Sequence, residues 1–410
     1  MKIASRTAVV LLCAALALRA GWVVYCWASQ GPALEYPDEQ LHWQLAANLV
    51  RHGTLITDDG RMAPRMPAYP LFLAVFAGLG QTGILAARLA QAGLGTGTVG
   101  LVYWLARSAL GRRAALVCGL LACCDPFAIF FSNLILTEVL FTLIATGLTA
   151  CAWRWLVSRG ESLAALLGLA VLGPLAVLTR ASAAGWIPLL WLLLVWMGRH
   201  SRQRLLCLAV CPAVLVACLL PWGVRNKIAL DSFAWLSTNG GASLYDGQGP
   251  QADGSGNQAF LHELPELQDL DEVGLDQTLT RMAFTQMRLD PQRVLRLAGR
   301  KLLRTWNPLP NVAEYRSGWP AAIGAGYTIV LLLTAAAGSL RGIAGWARQP
   351  AGCRSWLTLL WLPVVYFTLV HCVYVGSVRY RVPLHPLLGL AAGGLFRPIT
   401  GLDQPGSGRS

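Results

Sequence analysis

LLCLAVCPAVLVACLLPW, residues 205–222, decides the fold: eighteen consecutive positions carry no charge, with Arg202 and Arg204 just before them and Arg225 just after. As a helix this stretch is about 27 Å long, close to the thickness of a bilayer's hydrocarbon layer, and its backbone polar groups are all satisfied internally. Further apolar segments occur at 7–29, 82–106, 114–132, 134–153, 162–179, 182–198, 318–340, 355–375 and 382–396, with a shorter one at 69–80. Composition agrees. Apolar residues make up 55%, charged residues only 13%, and mean hydropathy is +0.51, whereas a soluble domain is about 25% charged. The sequence therefore predicts an all-α polytopic membrane protein with about ten transmembrane helices plus one re-entrant or interfacial segment.

The net charge of +13 is spread over short connections and one long loop and forms no basic, aromatic-studded face, which excludes nucleic acid as a partner. Ten of the eleven cysteines fall in or beside apolar spans, and Cys353 is expected in a connecting loop. Neither a disulfide framework nor a CxxC…CxxC zinc site follows from that distribution. The apolar run after Arg6 continues past Arg19 to about Trp27 without a small-residue cleavage site, so it reads as a retained first helix.

Basic residues mark the cytoplasmic ends of spans. Lys2 and Arg6, then Arg107, Arg112 and Arg113, then Arg154 and Arg159, then Arg199, Arg202 and Arg204, and finally Arg341, Arg348 and Arg354 all fall on one side if 69–80 does not cross. About twelve residues are too few to span as a straight helix, so that segment is read as re-entrant or interfacial. Three parts follow: an N-terminal transmembrane module at 1–222 with a first outer loop at 30–68, a large outer-loop subdomain at 223–317, and C-terminal helices with a short cytoplasmic tail at 318–410. The protein is expected in the inner (plasma) membrane, with its chemistry facing the periplasm or exterior.

The first outer loop holds Pro37-Asp38-Glu39, suited to the first turn of a helix, where the helix dipole favours acids. Leu41, Leu45 and Leu49 would form an apolar stripe lying on the membrane, ended by Gly53. Glu138 lies at the outward end of the fourth span, where a carboxylate needs a wet cavity or a partner such as Arg19, Arg88 or Arg180. Asp38, Glu39, His42 and Glu138 are residue types that ligate a divalent metal, although no spacing demands one. Ser237 to Gly247 reads as a turn-rich loop. Residues 276–306 read as a helical pattern broken near Asp290-Pro291, ending in a basic amphipathic helix suited to an anionic lipid surface.

Several motifs in order give a resemblance: the acidic pair after the first helix, R-x-P-x-Y-P at Arg65–Pro70, AARL at Ala86–Leu89, ILTEVLF at Ile135–Phe141, PWGVRN at Pro221–Asn226, STNGGASLYDG at Ser237–Gly247 and VRYRVPLHP at Val378–Pro386. Together they resemble the multi-spanning glycosyltransferases of the GT-C fold. The nearest group is the glycosyltransferase family 39 type, which includes protein O-mannosyltransferases and the aminoarabinose transferase of lipid A. The resemblance implies a polyprenyl-phosphate sugar donor, transfer with inversion, and an acceptor that is a glycan, a lipid or a protein. It implies Asp38 as the base, Glu39 beside it, and Glu138 where relatives carry a second acid, an Asp in the lipid A branch. It offers Arg65, Arg225, Arg379 and Arg381 for the donor phosphate, and Asn239, Gly240 and Tyr245 in a substrate loop. Relatives often carry Arg where Asn133 stands. A lipid or glycan transporter is the competing reading, but it calls for polar determinants along a path through the membrane, and here they collect on one side.

Overall fold

The structure is a computed structural model that describes residues 6–198, 200–311, 316–344 and 351–396. The described residues are all-helical, with no strand among them. In chain order the helices are α1 (Arg6–Gln30), α2 (Pro37–His52), α3 (Ala68–Ala77), α4 (Gln81–Ala109), α5 (Arg112–Cys123), α6 (Pro126–Phe131), α7 (Glu138–Val157), α8 (Leu163–Thr179) and α9 (Trp186–Met197). They continue with α10 (Ser201–Leu230), α11 (Gly240–Gln248), α12 (Phe260–Glu263), α13 (Glu272–Leu289), α14 (Pro291–Thr305), α15 (Gly318–Ala344), α16 (Ala351–Val373) and α17 (His385–Ala392). Lys2, Arg199, Arg348 and the tail beyond 396 lie outside the described residues.

Five of these helices are long and apolar enough to cross a membrane: α1, α7, α10 and most of α15 and α16. α4 is 29 residues long, but Gly93, Gly95, Gly97 and Gly100 dilute its hydropathy. α8 and α9 are shorter apolar rods. The main core runs through α4, α5, α7, α8, α9, α10 and α15–α17 and includes Trp155, Trp186 and Trp356. Outward-facing side chains such as Val10, Leu167, Val216 and Leu333 stay exposed on the bundle surface, as expected where lipid is the solvent.

Several expected spans take other forms. The segment at 114–132 is broken into α5 and α6 at Asp125-Pro126, because Asp125 Oδ1 accepts from Phe127 N (2.9 Å) and Ala128 N (3.2 Å) and so caps a new helix. The segment at 382–396 is a tight 3-10 turn (Val378–Leu384), then α17, then a second 3-10 turn (Gly393–Leu395). Pro383 and Pro386 lack the N–H donors a continuous helix needs there, and all of α17 is buried. The segment at 69–80 forms the ten-residue α3, about 15 Å long and half a bilayer. Cys353 falls in the first turn of α16, not in a loop.

The segments at 30–68 and 223–317 contain helices of their own. Gly53 takes the left-handed conformation (φ 69°) that ends α2, its N–H bonding Leu49 O at 3.0 Å. The stripe expected on α2 is turned: the buried face carries Glu39, His42, Leu45 and Ala46, while Leu41 and Leu49 are half-buried. A lipid-facing helix would bury no acid; this one presents its charged end to the protein. STNGGASLYDG is not a loop, since Gly240–Gln248 form α11, packed on α13. A Cβ at Gly241 would lie 2.0 Å from Asp276 O, so that glycine permits helix contact. Asp290 caps α14 through Arg293 N (2.8 Å). α14 buries Leu297, Lys301 and Thr305 and exposes Leu295 and Leu303.

Candidate active site

Asp38 stands in the first turn of α2, where Pro37 supplies the fixed φ and the missing N–H of a helix start. Arg65 lies on the loop before α3, Glu138 opens α7, Arg180 separates α8 from α9, and Arg379 sits on the 3-10 turn before α17. These five side chains meet in one alternating chain of charge. Arg65 Nη2 donates to Asp38 Oδ1 at 2.6 Å, and Arg379 Nη1 donates to Asp38 Oδ2 at 2.6 Å. Arg379 Nε donates to Glu138 Oε1, which also accepts from Arg180 Nη2 at 2.5 Å. Arg180 Nε is fixed by Thr137 Oγ1 at 2.7 Å, and its guanidinium lies 5.1 Å from the Phe141 ring centre.

Three guanidiniums and two carboxylates leave one positive charge in excess. The cluster is graded in access: Glu138 is 0% exposed and Arg180 12%, whereas Arg65 and Arg379 are 22% and Asp38 34% exposed. The inner pair is shut in and the outer three groups are reachable. Burial works against the Asp38 charge, but Arg379 and then Arg65 outweigh it and hold the carboxyl well below the usual carboxylate range. Among the described residues Glu138 Oε2 has no hydrogen-bond partner, and Glu138 lines a cavity of about 30 Å³ with Arg19, Thr98, Asp125 and Thr142.

Neighbouring groups fix the frame. Glu39 turns away from Asp38: its Oε1 accepts from Ile135 N (2.7 Å) and its Oε2 from Glu35 N and Tyr36 N (3.2 Å each), with Arg88 at 4.0 Å. Burial raises its pKa against those bonds. Tyr69 donates to Gln91 Oε1 (2.8 Å), and Gln91 Nε2 donates to Leu134 O (2.8 Å), tying α3 and α4 to the strap before α7. His42, edge-on to Tyr69, is pushed down to about 3 by burial and then by Arg65, so it is neutral near pH 7.

Of the expected residues, Asp38, Arg65, Glu138 and Arg379 come together. Arg225 and Arg381 do not join them. Arg225 donates to Met62 O (2.6 Å) and Leu55 O (2.9 Å), and Arg381, fully buried, donates to Asn307 O (2.5 Å) and Thr328 Oγ1 (2.9 Å). Asn239 bonds Ser243 (3.1 Å), and Tyr245 packs on Phe260 within the α11–α13 unit. Arg19, one expected partner of Glu138, instead holds Ala122 O and Cys123 O. Glu272, not singled out in the sequence, accepts from Met62 N (2.6 Å), Ala63 N (2.9 Å) and Thr238 Oγ1. With Arg225 it clasps the loop that carries Arg65. Arg180 is the site residue with the weakest sequence signal: a lone cation between two apolar runs, meaningful only once it is paired. Among the described residues no group of three or more His, Cys, Asp or Glu side chains is placed to hold a metal.

No curated protein matches the chain. Two solved structures of ArnT from Cupriavidus metallidurans resemble it over 94% of its length. The one bound to undecaprenyl phosphate is 16% identical, with 75% of that chain covered and a TM-score of 0.44; the apo one is 17% identical, with 77% covered and a TM-score of 0.43. Asp38 and Arg379 lie outside the stretch that a family model covers; Arg65, Glu138 and Arg180 lie within it. That stretch, residues 63–222, matches the family model of the dolichyl-phosphate-mannose-protein mannosyltransferases, of the glycosyltransferase 39 type.

Proposed function

We propose that the protein is an inverting glycosyltransferase that moves a sugar from a polyprenyl-phosphate donor to an acceptor glycan, lipid or protein on the outer face of the inner membrane. The observation that carries this reading is the Arg65–Asp38–Arg379–Glu138–Arg180 network, with its excess positive charge and its exposed outer end. Guanidinium groups match phosphate oxygens in a planar fork. Arg65 and Arg379 are the reachable cations and would hold the donor phosphate; Arg225 and Arg381 support loops through backbone carbonyls.

Inversion requires the acceptor to attack the anomeric carbon from the side opposite the phosphate. Asp38 takes the proton of the acceptor hydroxyl or amine as the new glycosidic bond forms, and the electrons of the breaking C–O bond leave with the phosphate. Glu138 is the second acid and holds Arg379 against Arg180. Glu39 fixes the start of α2 beside the base. The large outer segment, 223–317, acts as a subdomain over the site, and the exposed leucines of α14 fit a membrane surface. The fold class that fits this chemistry is GT-C.

The test is direct. Purified protein in lipid is incubated with a panel of polyprenyl-phosphate sugars, and donor-dependent release of polyprenyl phosphate is measured. Release with at least one sugar is expected. Saturable passage of the intact lipid across sealed vesicles, with no release, would instead make the protein a transporter.

A further inference from the structure

Both oxygens of Asp38 are occupied, by Arg65 at 2.6 Å and Arg379 at 2.6 Å. A carboxylate clamped between two guanidiniums is a weak proton acceptor, so the base of the proposed reaction is masked in the free protein. The same two arginines are the reachable cations of the site. Arg379 is not free to drift, because its Nε is held by Glu138, which Arg180 holds in turn.

Building on the glycosyltransferase reading, we propose that the donor's phosphate itself unmasks the base: it takes over the guanidinium edges that Asp38 holds, while the buried Glu138–Arg180 pair keeps Arg379 in place. Losing a cationic partner and gaining a neighbouring anion both raise the proton affinity of Asp38. The carboxylate becomes competent only when donor is bound, and the donor precedes the acceptor. When the C–O bond breaks, the phosphate gains negative charge and grips the arginines harder; its departure lets Asp38 return to them and resets the site. Glu138 and Arg180 act through Arg379 and are positioning residues.

Asp38 and the phosphate are competitors for the same arginines, which sets an unusual sign. Undecaprenyl phosphate, which has the phosphate but no sugar, is titrated into full-length wild type and Asp38→Asn in lipid nanodiscs. Binding is followed by native mass spectrometry. The variant is expected to bind at least about fivefold more tightly, equivalent to about 1 kcal/mol, although it has lost its base. Equal or weaker binding by Asp38→Asn, with saturable binding by wild type, overturns the unmasking and leaves the glycosyltransferase reading standing. No saturable binding by wild type overturns both. A measurement that needs no variant accompanies it. In wild type with ¹³C-labelled aspartate carboxyls, adding the lipid is expected to shift one aspartate carboxylate stretch in the infrared difference spectrum. Lipid binding without such a shift refutes the proposal.

Discussion

Replacing Arg379 tests the centre of the network. Among the described residues it is the one cation that touches both acids, through Nε to Glu138 and Nη1 to Asp38. Arg379→Ala removes a reachable phosphate contact, and a hydrogen bond to a charged group contributes about 1.5–3 kcal/mol, so affinity for undecaprenyl phosphate should fall about 10- to 150-fold. The fully buried Glu138 keeps only Arg180, so thermal stability should fall as well; breaking a buried pair costs about 3–5 kcal/mol, and the surviving partner places the loss at or below the low end. Arg379→Lys keeps the charge, but a single ammonium cannot span two carboxylates as a splayed guanidinium does, and it should recover only part of both losses. Nanodisc binding titrations and thermal melts of all three proteins provide the readout. Arg225→Ala removes no carboxylate contact and only loosens the loop that carries Arg65, through Leu55 O and Met62 O, so it should weaken lipid binding less than Arg379→Ala. Wild-type-like lipid binding by Arg379→Ala, or full restoration of binding by Lys, refutes this role of the guanidinium.

Asp38→Asn should lower turnover about 10²–10⁴-fold, the usual contribution of a general base, whereas Glu39→Gln should chiefly lower the melting temperature; steady-state release of polyprenyl phosphate and melts separate the two. His42 is neutral in the folded protein and titrates at about 3, so its stability contribution is complete above the unfolded value of about 6.5 and is lost as pH falls toward 3. Acidification from pH 7 to 5 should therefore cost about 2 kcal/mol that His42→Gln does not lose, visible as a flatter dependence of melting temperature on pH. Cysteines placed at Asp59 and Gly254 should react with an impermeant reagent from outside and one at Arg112 should not; outside labelling at Arg112 reverses the topology. Glu272→Ala frees two backbone N–H groups beside Arg65 and should raise the donor KM more than it lowers kcat.

The acids and arginines that gather were readable because each breaks a local rule: Glu138 interrupts an apolar run, and Asp38 opens a helix that Pro37 begins. Their partners were harder to read. Arg65, Arg180, Arg225, Arg379 and Arg381 are similar cations at span ends, and only tertiary distance separates those that meet carboxylates from those that meet carbonyls. Helix periodicity placed α7, α10, α15 and α16 well, since long apolar runs dominate there. It misread 114–132 and 382–396 as continuous, because Asp125, Pro383 and Pro386 outweigh hydropathy locally. STNGGASLYDG has loop-like composition yet forms α11, since its glycines allow the close contact with α13. The inward turn of α2 was invisible because its leucine spacing and its polar spacing are both helical.

The order in which the network's members appear along the chain bears on how the protein is made. Asp38 meets Arg65 27 residues later and Glu138 meets Arg180 42 residues later, but both wait for Arg379, 341 and 241 residues on. Met62 waits for Arg225, 163 residues on, and for Glu272, 210 residues on. At a synthesis rate of about 5–20 residues per second, each acid has its first cation within about 1–8 s, while the arginine that joins the two pairs follows Asp38 by about 17–70 s. Each acid is thus paired early with an arginine of its own, and the two pairs are joined into one network last. Until the ribosome passes residue 379, these two pairs carry no net charge, and the excess cation of the network arrives only with the final helices.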